Sequence, residues 1–128
     1  MPHFIPDIQL TGIDLDSIDD AEENAESVVF DITLSGHPTA SWEEEFEYLY
    51  ASTTFGIKPP VEIVDDRLRV HYLPRYQDDL QRYLNFLAGI AHLATAEARR
   101  TEEIKTRDEQ ENRKRQFREV LARVTVPA

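Results

Sequence analysis

The sequence predicts an α+β fold with the element order ββαββα. This is a two-layer sandwich in which a four-stranded, mainly antiparallel sheet carries both helices on one face. Three observations lead to this prediction. Two segments of alternating polarity precede an amphipathic segment with a helix-start signal, and two more short alternating segments follow it. The chain from Arg75 to Val124 then contains one glycine and no proline. The predicted helices occupy residues 41–54 and about 75–124.

The first two predicted strands differ in regularity. Apolar residues alternate with polar ones over residues 7–15, but the phase of the alternation slips at Gly12, which predicts a bulged strand. From Val28 to Leu34 the alternation is unbroken and predicts a half-buried strand. The segment between the two strands, residues 19–26, is strongly acidic, so we expect an exposed connection there.

The first helix has a chemical start signal. Ser41 is the predicted N-cap, because Glu44 follows three residues later and its carboxylate can reach back to the Ser41 amide in a capping box. Apolar residues then recur at helical spacing, and Gly56 with the Pro59-Pro60 pair ends the segment. The residues of this apolar stripe are Trp42, Phe46, Leu49 and Tyr50.

A β-hairpin is predicted around Asp65-Asp66, which separates two short apolar segments. A two-residue turn at this point fixes which residues face each other, since pairing then proceeds outward one residue at a time. This register brings apolar residues together on one face and opposite charges together on the other. The predicted pairs are Ile63 with Leu68, Val61 with Val70, and Glu62 with Arg69.

The long helix changes composition along its length. Its first part has large apolar residues at alternating spacings of four and three, which is typical of one buried stripe. Phe86 and Leu93 lie to one side of that stripe, so the apolar arc is wider than the ~100° that packing on a sheet requires. From residue 97 to 116 the side chains are almost all polar, and Ile104 is the one sizeable exception. The buried stripe consists of Tyr76, Leu80, Tyr83, Leu87, Ile90 and Ala94.

A short apolar stripe returns at the end of the helix and completes the predicted partner-binding surface. We therefore predict two regions: a compact α+β head, residues 1–96, and a charged helical extension with an apolar tip, residues 97–128. The alternative is a break within residues 106–112, after which the chain folds back and buries its apolar end internally. The residues predicted to bind a partner are Phe86, Leu93, Ile104, Phe117, Val120, Leu121 and Val124.

Charge is divided unevenly along the chain, whose formal net charge is −11. Residues 1–66 contain sixteen acidic residues and one basic residue, whereas residues 112–124 contain five basic residues and one acidic residue. An acidic body repels phosphate groups, so we expect neither direct nucleic-acid binding nor binding to an anionic membrane. The predicted basic patch comprises Arg113, Lys114, Arg115, Arg118 and Arg123, and the predicted acidic patch comprises Glu43, Glu44, Glu45 and Glu47.

Composition argues against several kinds of site. The chain has no cysteine, which excludes disulfides and thiolate metal ligands, and its four histidines are scattered without metal-ligand spacing. Because no phosphate-binding glycine loop or nucleophile motif is present, we expect no cofactor, no metal site and no catalytic residues. The first residues lack the features of a secretion signal, and no apolar segment approaches the ~18 residues of a membrane span. We therefore expect a cytoplasmic protein.

These observations favour a non-enzymatic protein-interaction or assembly module. It would self-associate as a homodimer or a larger assembly, or dock onto another protein, through its long C-terminal helix. Two alternatives come from other functional classes. The acidic half suits an inhibitor that mimics nucleic acid, since carboxylates can imitate phosphates. The grouped carboxylates would also suit a small metal-dependent nuclease or hydrolase, but the first 104 residues contain a single lysine, Lys58, to assist such chemistry.

Overall fold

A computed structural model describes residues 5–21 and 26–127 of the chain. All neighbouring strands of its four-stranded sheet are antiparallel, in the spatial order β1-β2-β4-β3. The predicted ββαββα order and four-stranded antiparallel sheet are therefore confirmed. The elements are β1 (Leu10–Asp20), β2 (Val28–Leu34), α1 (Ala40–Ser52), β3 (Val61–Val64), β4 (Arg67–Tyr72), a 3₁₀ turn (Pro74–Asp79) and α2 (Leu80–Arg123).

The core lies between one face of the sheet and both helices. Strands β2 and β4 each present alternate residues to this face, as their period-two pattern requires, and helices α1 and α2 place their apolar stripes against them. Most of the buried apolar residues belong to one cluster, which includes Phe30, Ile32, Leu34, Leu68, Val70, Trp42, Phe46, Tyr83, Leu87 and Ile90. Because residues of both helices belong to this cluster, the two helices cover the same face of the sheet, as predicted.

The bulge predicted at Gly12 is present, but β1 is longer and lies later in the chain than the predicted residues 7–15. Leu10 pairs with Leu34 whereas Gly12 pairs with Thr33, so β1 has one extra residue between them. The strand continues to Asp20. Its last residues therefore belong to the segment that we expected to be a connection, and residues 22–25 of that segment lie outside the described residues.

A second, wider irregularity in β1 interrupts the alternation of apolar and polar residues, but it does not end the strand. Asp14 pairs with Asp31 and Asp19 pairs with Val29, so three extra residues of β1 lie between these pairs. The Ser17 hydroxyl occupies the gap, where it donates a hydrogen bond to the Asp14 carbonyl oxygen at 2.6 Å and accepts one from the Asp31 amide at 2.8 Å. A side chain thus replaces the missing backbone partner and lets pairing resume.

The predicted start of helix α1 was wrong by two residues. The N-cap is Thr39, whose hydroxyl accepts a hydrogen bond from the Trp42 amide at 3.2 Å, and Ser41 lies inside the first turn. Thr39 has the extended backbone that an N-cap requires. At the other end, the Lys58 ammonium donates hydrogen bonds to three backbone carbonyl oxygens, those of Tyr50, Ala51 and Thr53. These oxygens lie in or next to the last turn of α1, where the helix dipole favours a positive charge.

The hairpin and the continuous long helix are confirmed. The β3–β4 pairing follows the predicted register, with Asp65 at a positive φ of 54° in the two-residue turn. Pro74 begins the 3₁₀ turn, and α2 then runs without a break to Arg123, so the fold-back alternative does not occur. Its 44 residues extend for about 66 Å. None of the helices in the described part of the chain is both long and apolar enough to cross a membrane.

Candidate interaction surfaces

Near the end of the head, the buried hydroxyl of Thr95 connects helix α2 to helix α1 and to the N-terminal segment. Thr95 is 3% exposed, and its hydroxyl accepts hydrogen bonds from the Ile8 amide at 3.2 Å and the Trp42 indole N–H at 3.1 Å. One helical turn later, the Arg99 guanidinium donates to the Ile5 carbonyl oxygen at 3.1 Å. Contacts with the head therefore reach as far along α2 as Arg99, and we call residues 100–123 the extension of α2.

The extension projects away from the head. Its 24 residues, 100–123, correspond to about 36 Å of helix. Every side chain between residues 107 and 123 is exposed, and of the preceding ones only Glu102 and Thr106 are partly covered. The apolar residues at its end gain no cover from the head, in contrast to the apolar residues in the first half of the same helix.

The predicted partner-binding residues separate into two surfaces and one residue that is packed internally. Phe86 is partly buried and its ring stacks on Phe55 at a centroid distance of 4.5 Å, within a group of aromatic rings in the head. Leu93 and Ile104 are exposed and lie eleven residues apart, which puts them within about 20° of each other around the helix. We call these two residues the flank.

The other four predicted residues form what we call the tip: Phe117, Val120, Leu121 and Val124. Spacings of three and four residues place Phe117, Val120 and Leu121 on one side of the helix, and Val124 follows directly as its C-cap residue. All four side chains are 49–60% exposed. Val120 is sixteen residues beyond Ile104, so at 100° per residue the tip faces about 160° away from the flank. One straight partner helix would therefore not cover both surfaces.

The predicted basic patch surrounds the tip. Its five members are exposed on the last three turns of α2, and the only acidic residue among residues 112–124 is Glu119. Lys114 lies 3.9 Å from Glu111, an exposed pair one turn apart that contributes little to stability. The tip is thus an apolar stripe inside a positively charged surface.

The predicted acidic patch lies on the first two turns of α1. Trp42 and Phe46 point into the core from the same turns, and this leaves Glu44 and Glu47 exposed while Glu43 and Glu45 are partly covered. The patch lies on the head, on helix α1.

The sheet face opposite the helices carries paired charges. Arg67 on β4 reaches across β2 to Asp14 on β1 at 2.6 Å, and Arg69 binds Asp31 at 3.1 Å. The hydrogen bond from Arg67 holds the pKa of Asp14 below its ordinary value, and the same bond raises the pKa of Arg67. Asp31, at 6% exposure, is almost covered by its two arginine neighbours. Arginines of the same sheet neutralise these carboxylates, so the charges of this face hold neighbouring strands together.

Several titratable side chains of the head lie close to one another. Within the described residues, no three histidine or carboxylate side chains are placed to hold a metal ion. The hydroxyls of Tyr50 and Tyr83 lie 2.9 Å apart, and burial raises the pKa of both, so both remain protonated. His71 lies 3.2 Å from Glu62 at the edge of a cavity of about 550 Å³ between the loop after α1 and the end of β4.

A second concave surface is almost wholly apolar and lies beside the first turn of α2. We call it the β1 groove. It has a volume of about 250 Å³, with one wall formed by β1 and the other by the 3₁₀ turn and the start of α2. Three of its residues are exposed on β1: Ile13, Leu15 and Ile18, with Leu15 at 73% and Ile18 at 56%. Opposite them lie Pro74 and Leu80, and Phe30 belongs to the floor.

The sequence predicts the tip residues to bind a partner, and they are exposed in the structure; it does not predict the β1 groove or the hydrogen bonds of Thr95. The residues of β1 carried a signal for the groove, because four large apolar residues lie within a segment that also contains four aspartates. Comparison with known proteins adds no family to this description: the chain matched no protein-family model, no curated protein and no solved structure.

Proposed function

We propose that the protein is a non-enzymatic assembly module that self-associates through the tip of its long C-terminal helix. The observation that carries this proposal is the exposure of four large apolar side chains at the end of a helix that extends about 36 Å beyond the head. Contiguous exposed apolar surface of this kind is typical of protein interaction sites.

The composition of the extension supports a role beyond helix formation. Arginine, lysine, glutamate and glutamine are good helix formers and are abundant in residues 100–119. A helix that only had to remain folded in water could continue this pattern to its end. Instead, the chain places valine, leucine and phenylalanine on one side of the last turns, where burial against another chain would stabilise them by about 25 cal/mol per Å² of apolar surface.

Sedimentation velocity over a range of protein concentrations tests the proposal. We expect the full chain to sediment as a species larger than the monomer, and Leu121→Asp to lower the association constant at least tenfold, because it places a charge within the apolar stripe. Gln110→Asp is the matched control, since it adds the same charge to an exposed polar position of the same helix. A full chain that stays monomeric at all concentrations, or equal effects of the two substitutions, would contradict the proposal.

A further inference from the structure

We propose that the tip of one copy binds in the β1 groove of a second copy. This inference rests on the self-association proposed above and names the surface that receives the tip. It predicts an interface between two different surfaces, tip and groove, in which each copy can both insert its tip and accept the tip of another chain.

The β1 groove has the apolar character that the tip requires. Ile13, Leu15 and Ile18 are exposed on the face of the sheet that elsewhere is covered by the helices, because α2 does not extend over this edge of β1. Its volume of about 250 Å³ is below the ~300 Å³ at which pockets for small molecules begin. Inserted side chains of a protein fit a groove of this size and composition.

Charge distinguishes the tip from an arbitrary apolar partner. Exposed carboxylates adjoin the groove residues in the sequence, whereas the residues around the tip are basic. Asp16 adjoins Leu15, Asp19 adjoins Ile18, and no basic residue is present between Leu10 and Asp20. On the opposite wall, Asp78 and Asp79 directly precede Leu80 and outnumber Arg75, the single basic residue of the 3₁₀ turn. An apolar stripe within a positive surface thus meets an apolar groove within a negative one, which favours this pairing over tip-to-tip contact between like charges.

The occupant must come from another molecule. Val120 lies forty residues after Leu80 on one continuous helix, which places the tip about 60 Å from the groove of its own chain. No kink in α2 lets the tip return, since the helix is unbroken from Leu80 to Arg123. A second copy supplies the same tip without this restriction.

Disulfide trapping tests the inference without interference, because the natural chain has no cysteine. Val120→Cys chains are mixed with size-tagged Leu15→Cys chains under mild oxidation, and the mixed disulfide is measured on a non-reducing gel. Tyr48→Cys on α1 replaces Leu15→Cys as the matched control, because Tyr48 is 68% exposed and lies outside the groove. We expect at least tenfold more mixed disulfide with Leu15→Cys. The excess should fall at ionic strength near 1 M, where the Debye length is about 3 Å.

The outcomes separate this inference from the proposed function. If Val120→Cys links to Leu15→Cys no better than to Tyr48→Cys, or links mainly to other Val120→Cys chains, the groove does not receive the tip and the inference is wrong. Self-association that Leu121→Asp abolishes would still support the proposed function in that case. A full chain that sediments as a monomer would overturn both. Circular dichroism confirms that the exposed substitutions leave the helix content unchanged.

Discussion

The two halves of helix α2 have the same backbone and opposite surroundings. In the head, one side of the helix is buried against the sheet and α1, and the helix is stabilised mainly by apolar burial. In the extension, nearly every side chain is in water, so the same backbone depends on intrinsic helix propensity and on continuity with the buried half. The comparison teaches that the exposed apolar residues of the extension do not stabilise the monomer. Binding to a partner is therefore the role that we propose for them.

The junction between the two regions gives the largest expected effect. Thr95→Val keeps the shape of the side chain but removes the oxygen that accepts hydrogen bonds from the Ile8 amide and the Trp42 indole. Two buried donors would lose their partner at about 1–3 kcal/mol each, so we expect the free energy of unfolding to fall by about 2–6 kcal/mol. Urea denaturation measures this change.

The matched control is Thr101→Val, six residues later on the exposed part of the same helix. We expect a change within about 0.5 kcal/mol there, as is usual for surface positions. A loss at Thr95 no larger than the loss at Thr101 would show that the Thr95 junction is not a structural connection between α2, α1 and the N-terminal segment.

Helix α2 contains one isoleucine in the head and one in the extension, which allows a direct comparison of its two halves. Ile90 is 2% exposed and Ile104 is 45% exposed. Ile90→Ala should lower the free energy of unfolding by about 2–5 kcal/mol, because it leaves a cavity in the core. Ile104→Ala should change it by less than about 0.5 kcal/mol, since alanine has the higher helix propensity and little burial is lost. Thermal or urea unfolding of both variants measures the difference.

Equal losses for the two isoleucine variants would contradict the division into head and extension. A loss at Ile104 that depends on protein concentration would instead place Ile104 in an interface, because the stability added by association rises with the logarithm of the partner's concentration. The flank would then belong to the binding surface together with the tip.

The sequence was sufficient for those features that depend on local periodicity. The β3–β4 register follows from alternation around a two-residue turn, and the buried side of α2 follows from spacings of three and four residues. The sequence predicts Ser41 as the N-cap because Glu44 completes a capping box there. Thr39 is the N-cap instead of Ser41, because in a helix that begins at Ala40 the Thr39 hydroxyl accepts a hydrogen bond from the Trp42 amide.

Features that depend on which elements meet could not be predicted. The Asp14–Arg67 pair joins β1 to β4 across an intervening strand, and the bonds of Thr95 join helix α2 to residues 53 and 87 positions away in the chain. The sequence predicts Phe86 to lie on the partner surface because it is to one side of the buried stripe of α2. Its cover comes from Phe55 in the loop after α1, and local periodicity carries no information about that contact.

The open face of the sheet gives the smallest expected effect and tests the head alone. Because the Arg67 hydrogen bond lowers the pKa of Asp14 below 3.8 in the folded state, the ionised carboxylate stabilises the fold above the unfolded-state pKa. This contribution is lost as the pH falls through the lowered pKa. Asp14→Asn should therefore reduce stability slightly at pH 7, and the difference from the natural chain should disappear in acid. Asp16→Asn, an exposed position on the same strand, is the control. The comparison would break if Asp14→Asn altered self-association at pH 7 with no change in unfolding, since Asp14 would then act at an interface instead of within the sheet.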